Sequence, residues 1–197
     1  MKKKRGVLGF LFEAGVLKRA KRTGWWYSKI KNPESIAEHS FRTAIIAFIL
    51  AKEEGVNAQW AATSALFHDF RETRLGDLHK IQAHYFKIKP GVKKRIIEDQ
   101  AELLPENARD DFVRHSSDVS AVVKDSDFLE CALQAREYYD LGFKECWNWL
   151  ERAGKPLRTK SAKKLFAELK RTSSDAWWKG LKQDVSDIKK DLRQAYR

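Results

Sequence analysis

Cysteine is scarce in this chain of 197 residues, where only Cys131 and Cys146 carry a thiol. The two form no Cys-x-x-Cys pair and no zinc-finger spacing. That excludes a disulfide framework or a zinc ribbon and makes a reduced, cytoplasmic protein the expectation. No apolar run is long enough to span a bilayer, so no membrane partner is expected. The apolar stretch after the basic start Met1–Arg5 is interrupted by Glu13, and no small-residue cleavage site follows. It reads as a basic tip leading into a first helix rather than as a secretion signal. A Gly-rich phosphate loop, internal repeats and low-complexity linkers are all lacking. So are the alternating apolar–polar runs of strands, which leaves an all-α fold. The hydrophobic content of 43% makes the body globular, and the length suits one domain with a substantial core.

Charge is abundant but uneven. The net charge is +12, with +9 in residues 1–31, +7 in residues 156–197 and −4 between them. A mildly acidic middle is what a metal–carboxylate site favours. Basic ends can steer a phosphorylated substrate or contact nucleic-acid phosphates without sequence preference. Solvated helix faces are the plain alternative.

The chemistry concentrates in the middle. Ser35 followed by Glu38 three residues on is a capping box, with Pro33 placed just before the helix it starts. Ile36, His39, Thr43, Ile46 and Leu50 then recur by threes and fours, so His39 points inward near the first turn. Gly55 ends that helix, and Asn57 caps a second, expected from Ala58 through Phe70. A short connection makes the two antiparallel neighbours, which carries His39 towards His68 and Asp69. A third long helix, expected to begin near Ser117, supplies Asp127, with Val123 one turn before and Cys131 one turn after. Asp125, on another face, competes with it. Two imidazoles and two carboxylates in this order can close around one divalent metal ion. Such a shell suits Mn2+, Co2+, Ni2+, Zn2+, Fe2+ or Mg2+.

The remainder is punctuated more simply. Trp147–Leu150 closes the third helical region and Gly154-Lys155-Pro156 breaks it. Thr159 or Ser161 caps a helix through Lys170, and Ser174 or Asp175 another with Trp177 and Trp178. Val185, Ile188, Leu192 and Tyr196 share a face of a last helix. His79, His84 and His115 read as surface or supporting groups rather than ligands.

The order His39, His68-Asp69, Asp127 resembles the signature of the HD-domain phosphohydrolases, and most closely the small branch that includes 5'-deoxynucleotidases. Three stretches carry the resemblance: Arg22-Thr23-Gly24-Trp25 with Pro33 through Ser40, His68 through Asp77, and Asp127 with Leu133 through Tyr138. It covers residues from about 6 to 145. It implies a single HD-domain helical bundle with additional C-terminal helices, divided as 1–155 for the domain and 156–197 for a basic extension packed on it. It implies one divalent metal held by His39, His68, Asp69 and Asp127, and catalysis through Glu72 with Asp77 in or beside the site. If the second helix continues, Glu72 projects over the same face as the ligands, placed to take a proton from the attacking water. Asp77 could hold a water or protonate the leaving ribose oxygen. Arg22 and Trp25 match a segment that packs against the sugar, although the family places Arg directly before Trp and here Thr23 and Gly24 intervene. Arg42 or the basic start is expected to hold the phosphate. The substrate implied is a nucleoside monophosphate, and the assembly implied is a homodimer.

Two other readings compete. One keeps the metal and cleaves a phosphodiester, either a cyclic nucleotide or a nucleic-acid strand. The other is a non-catalytic basic module binding nucleic acid through its ends.

Overall fold

The computed structural model describes residues 6–181 and Lys189. The basic tip Met1–Arg5 and, apart from Lys189, the expected last helix over Val185–Tyr196 lie outside the described residues. In chain order the helices are α1 (Gly6–Ala14), a 3-10 turn (Thr23–Ser28), α2 (Ile36–Glu53), α3 (Ala58–Phe67), α4 (Glu72–Leu75), α5 (Lys80–Tyr85), α6 (Val92–Ala101), α7 (Glu106–Ser116), α8 (Ala121–Asp140), α9 (Cys146–Gly154), α10 (Lys160–Leu169) and α11 (Ala176–Lys179). Among the described residues there is no strand beyond an isolated bridge between Lys21 and Ser35. The all-α expectation holds. No described helix is long and apolar enough to cross a membrane.

The local signals place α2 and α3. Ser35 Oγ accepts the Glu38 amide at 3.2 Å, and the Glu38 carboxylate accepts the Ser35 amide at 2.6 Å. Asn57 Oδ1 caps the Trp60 amide at 2.9 Å. Ile36, His39, Thr43, Ile46 and Leu50 are all buried, as their spacing requires. Small residues let the central helices close on one another. Ala47, Ala51, Ala58, Ala61 and Ala65 form the seam of α2 and α3, against which Val122, Val123 and Leu129 of α8 pack. Leu157 and Ala162 join this same cluster from the start of α10. A second cluster sets Trp25 and Ile30 among Ala132, Ala135, Tyr138 and Leu150 of α8 and α9. A third stacks Phe10 of α1 on Phe70 at 4.6 Å and against the edge of Phe112 at 5.3 Å.

Three boundaries differ from expectation. α3 stops at Phe67 rather than Phe70. Phe70 N bonds back to Phe67 O and Glu72 N to Asp69 O. These three-residue bonds tighten the chain after Phe67, so His68 and Asp69 sit in a turn rather than on a helix flank. α8 starts at Ala121, because Asp118 Oδ1 takes the Ser120 amide at 2.8 Å and holds the preceding residues out of the helix. The third helical region is two helices rather than one. Gly142, at φ +104°, turns the chain in a conformation that side chains rarely adopt, and α9 restarts at Cys146. α9 and α10 also approach closely. A Cβ on Gly154 would lie 2.1 Å from the Phe166 ring, so only glycine fits there. Thr159 caps α10, whereas Asp175 makes no side-chain cap for α11.

Candidate metal centre

Four ligand atoms from three elements converge at one point. His39 is one turn into α2, His68 and Asp69 occupy the turn after α3, and Asp127 lies in the second turn of α8. His39 Nε2 is 3.3 Å from His68 Nε2 and 3.2 Å from Asp127 Oδ1. Asp69 Oδ2 is 3.1 Å from His68 Nε2 and 3.9 Å from His39 Nε2. His68 Nε2 lies 3.9 Å from Asp127 Oδ1. Metal–ligand bonds of about 2.1 Å at octahedral or tetrahedral angles place donors about 3.0–3.4 Å apart. Three of the five spacings lie in this range and two, at 3.9 Å, are wider, so the donors close on a small divalent cation by drawing in about half an ångström.

The outer ring nitrogens are held so that both Nε2 atoms face this point. His68 Nδ1 donates to the carbonyl of Ala65 at 2.6 Å. His39 Nδ1 donates to Glu130 Oε2 in a short contact. Glu130 is fully buried and accepts Arg42 Nε at 3.0 Å and Nη2 at 2.8 Å on its other oxygen. Arg42 also binds Gln134 at 2.9 Å and Glu137. A carboxylate behind a ligating histidine fixes its tautomer and raises its basicity. On the other flank, Arg71 Nη2 holds the outward oxygen of Asp69 at 3.2 Å and Nη1 donates to the His68 carbonyl.

The electrostatics are those of a site with surplus negative charge. Burial works against the ionised carboxyl of Asp127, but His39 and His68 hold it down at about 2. Asp69 is likewise held well below its usual range against burial, by His68 first and then His39 and Arg71. Burial and the Arg22 charge oppose protonation of His39, yet Glu130 and Asp127 raise it to about 10. A proton on His39 does there what a cation among the four donors would do. Glu72 is the opposite case. Burial, then Asp69 and Asp77, push it up to about 9, and its Oε2 is buried with no hydrogen-bond partner.

Asp125 is excluded as a ligand by its own bonds. It is fully buried and accepts the amides of Arg158 and Thr159 at 3.0 and 2.7 Å and the Thr159 hydroxyl at 2.7 Å. It anchors the start of α10.

The remaining expected residues divide. Arg22 reaches the centre, with Nη1 3.8 Å from Asp69 Oδ2 and Nε 3.5 Å from Glu34 Oε1. Burial disfavours its charge, but the surrounding negative groups, Asp127 and Glu34 among them, keep it protonated. Trp25 is buried, wedged between Tyr138 and Trp149, and its indole N–H donates to Glu34 at 2.9 Å. It stands behind Arg22 in the core. The Arg42 guanidinium bonds Glu130, Gln134 and Glu137, which sets it behind His39. Asp77 Oδ2 accepts the Thr23 amide at 2.6 Å and the Thr23 hydroxyl at 3.2 Å. It ties the segment carrying Arg22 to the segment carrying Glu72. Glu130, Glu34 and Arg71 were not singled out from the sequence as site residues. The available signal for Glu130 was its position three residues after Asp127, beside Arg42 three residues after His39, which puts both on the ligand-bearing faces.

The HD domain family matches residues 14–168. Human 5'-deoxynucleotidase HDDC2 is 33% identical over 147 residues, spanning 71% of this chain and 72% of that protein. The Schizosaccharomyces pombe 5'-deoxynucleotidase hdd1 is 29% identical over 143 residues, 67% of this chain and 72% of that one. Among solved structures, a conserved hypothetical protein from Pyrococcus furiosus superposes with a TM-score of 0.65 at 28% identity, covering 84% of this chain and 99% of the other.

Proposed function

This chain belongs to the HD-domain family, and on that premise we propose that it is a divalent-metal-dependent 5'-deoxynucleotidase. It would convert deoxyribonucleoside 5'-monophosphates to deoxynucleosides and phosphate. The observation that carries the reading is the mutual approach of the His39, His68, Asp69 and Asp127 donors, with Glu72, whose Oε2 is buried and unpartnered, close enough to feel the Asp69 charge. The activity named for the relatives supports it.

The four donors would hold one ion, which when bound polarises a phosphoryl oxygen and lowers the pKa of a bound water. The chain supplies the rest. Glu72 Oε2 takes the proton from the water that attacks phosphorus: it is buried and unpartnered, and a cation among the donors would lower the pKa that burial, Asp69 and Asp77 raise, freeing its carboxylate to act as base. The bond from phosphorus to the 5'-oxygen breaks, and the departing oxygen takes up the proton that Glu72 received from the water. Arg22 binds the phosphoryl group: its guanidinium is 17% exposed, lies beside the donors, and among the described residues makes only wide ion pairs to Glu34 and Asp69. Trp25 and Glu34 hold Arg22 from behind. Asp77 acts through Thr23, keeping Arg22 and Glu72 on facing sides. Arg42, through Glu130, aims His39.

The domain is proposed to span 1–155, with 156–197 an extension packed on it; Leu157 and Ala162 in the central core support that packing. A homodimer is also proposed. Phe41, Ile45, Phe48 and Ile49 leave one face of α2 apolar and exposed, as a helix covered by a second copy would; sedimentation should show a dimer that Phe41→Glu disperses. A cytoplasmic setting is part of the same reading and is consistent with two free cysteines.

The test is phosphate release from 5'-dNMPs, 5'-NMPs, 3'-NMPs and cyclic nucleotides by chelator-stripped protein reloaded separately with Mn2+, Co2+, Ni2+, Zn2+, Fe2+ or Mg2+. Selective release from 5'-dNMPs is expected. Cleavage of diesters alone would replace this reading with the phosphodiesterase one.

A further inference from the structure

Two internal stretches contain no acidic residue at all. Between Glu13 and Glu34 lie Lys18, Arg19, Lys21, Arg22, Lys29 and Lys31; between Asp77 and Glu98 lie Lys80, Lys87, Lys89, Lys93, Lys94 and Arg95. Both stretches also expose aromatic rings. Trp26 and Tyr27 are 54% and 56% exposed in the first, and Tyr85 and Phe86 are 77% and 68% exposed in the second. Large rings at such exposure, on a short 3-10 turn and at the end of α5, bury little by folding and have another use. Lys29, Lys31, Lys80, Lys87 and Lys89 are exposed, and none makes an ion pair among the described residues.

The fold joins the two stretches beside the metal centre. Asp77 accepts Thr23 twice, and Tyr27 packs edge-on to the His79 ring at 5.1 Å. Gly24 lies at ordinary contact distance from His79, 3.6 Å from where a Cβ would stand. His79 then caps α5, which leads directly to Tyr85 and Phe86. Arg22, next to Thr23, reaches Asp69. The two segments therefore meet next to Arg22, which reaches the donor Asp69.

We propose that these two segments form a binding surface for single-stranded nucleic acid beside the metal centre, with Trp26, Tyr27, Tyr85 and Phe86 as stacking rings and the flanking lysines as phosphate contacts. Rings that stack need unpaired bases, and lysines spaced among them track a backbone. An anionic membrane would also attract lysines. It favours an amphipathic helix with apolar and basic faces set apart, whereas here rings, histidines and lysines interleave and α5 is only six residues long. The first segment holds six of the ten basic residues of the 1–31 stretch, so the proposal assigns that basic end to its ring-bearing part rather than to its tip, and it does not depend on which phosphoester the centre cleaves.

The test uses the full chain and fluorescein-labelled oligo-dT, read by anisotropy at several salt concentrations. Tyr85→Ala/Phe86→Ala should weaken binding about tenfold or more, with melting temperature and mononucleotide hydrolysis unchanged. Replacing Lys29, Lys31, Lys87 and Lys89 by Gln should lower the slope of log affinity against log salt by about 3. The proposal is overturned by no binding, or by duplex DNA binding as tightly as oligo-dT. It is also overturned if Lys2→Gln/Lys3→Gln/Lys4→Gln abolishes binding while the internal variants do not. Ring variants that lose phosphatidylserine vesicles but keep oligo-dT would likewise assign the surface to membranes. Oligo-dT binding without any mononucleotide hydrolysis would sink the nucleotidase reading and leave this one standing.

Discussion

Glu130→Gln should weaken metal binding without unfolding the protein. Glu130 lies outside the donor set, yet one of its oxygens takes the Nδ1 proton of His39 and the other takes Arg42. Gln keeps the shape and can still accept one bond, but it removes the negative charge that makes His39 a strong donor. Losing such a supporting carboxylate commonly costs about 10–100-fold in metal affinity, which is about 1.4–2.7 kcal/mol. Glu137→Gln is the matched control. Glu137 also binds Arg42 but is 40% exposed and does not touch His39, so its loss should change affinity by less than about twofold, as surface pairs contribute about 0–1 kcal/mol. The assay is competition for Mn2+ or Co2+ against a chelator of known affinity, with thermal melting alongside. Wild-type metal affinity in Glu130→Gln, or equal losses in the two variants, would refute the argument that His39 is tuned from behind.

Three further outcomes are expected. Glu72→Ala should keep its metal, measured by elemental analysis, while kcat falls by about 10²–10⁴; near-normal turnover would remove Glu72 from the mechanism. In the chelator-stripped protein Glu72 sits at about 9 against an ordinary 4.5, so the folded chain binds the extra proton between those values and stability falls as pH rises across them. Glu72→Gln should therefore gain melting temperature over wild type at pH 9 and show little difference at pH 4.5; a gap that is flat with pH would show that burial does not strain this carboxylate. Arg22→Ala should raise KM for the mononucleotide far more than it lowers metal content, whereas Arg42→Ala should do the reverse, because Arg42 is spent on Glu130.

How much of this could be read from the chain differs by residue. The inward aim of His39 follows from the 3.6-residue period and a capping box that sets the start of α2, both local properties. The break after Phe67 was not legible although its bonds are local, Arg71 to the His68 carbonyl and His68 to the Ala65 carbonyl, because no glycine or proline marks it. Glu130 was passed over for a different reason: a carboxylate in mid-helix looks like a solvated residue until Arg42 arrives from another helix.

By itself, then, the sequence determined the elements whose causes lie within a turn or two: the all-α class, the caps at Ser35, Asn57 and Thr159, and the buried stripe of α2. It also contained a pattern of His, His-Asp and Asp specific enough to point to a family. Only the tertiary structure decided which acid goes where. Asp125 and Asp127 are two residues apart on one helix, and nothing local separates them. The amides of Arg158 and Thr159 claim the first, and the imidazole of His39 faces the second. A buried charge needs a partner, and its partners come from distant parts of the chain.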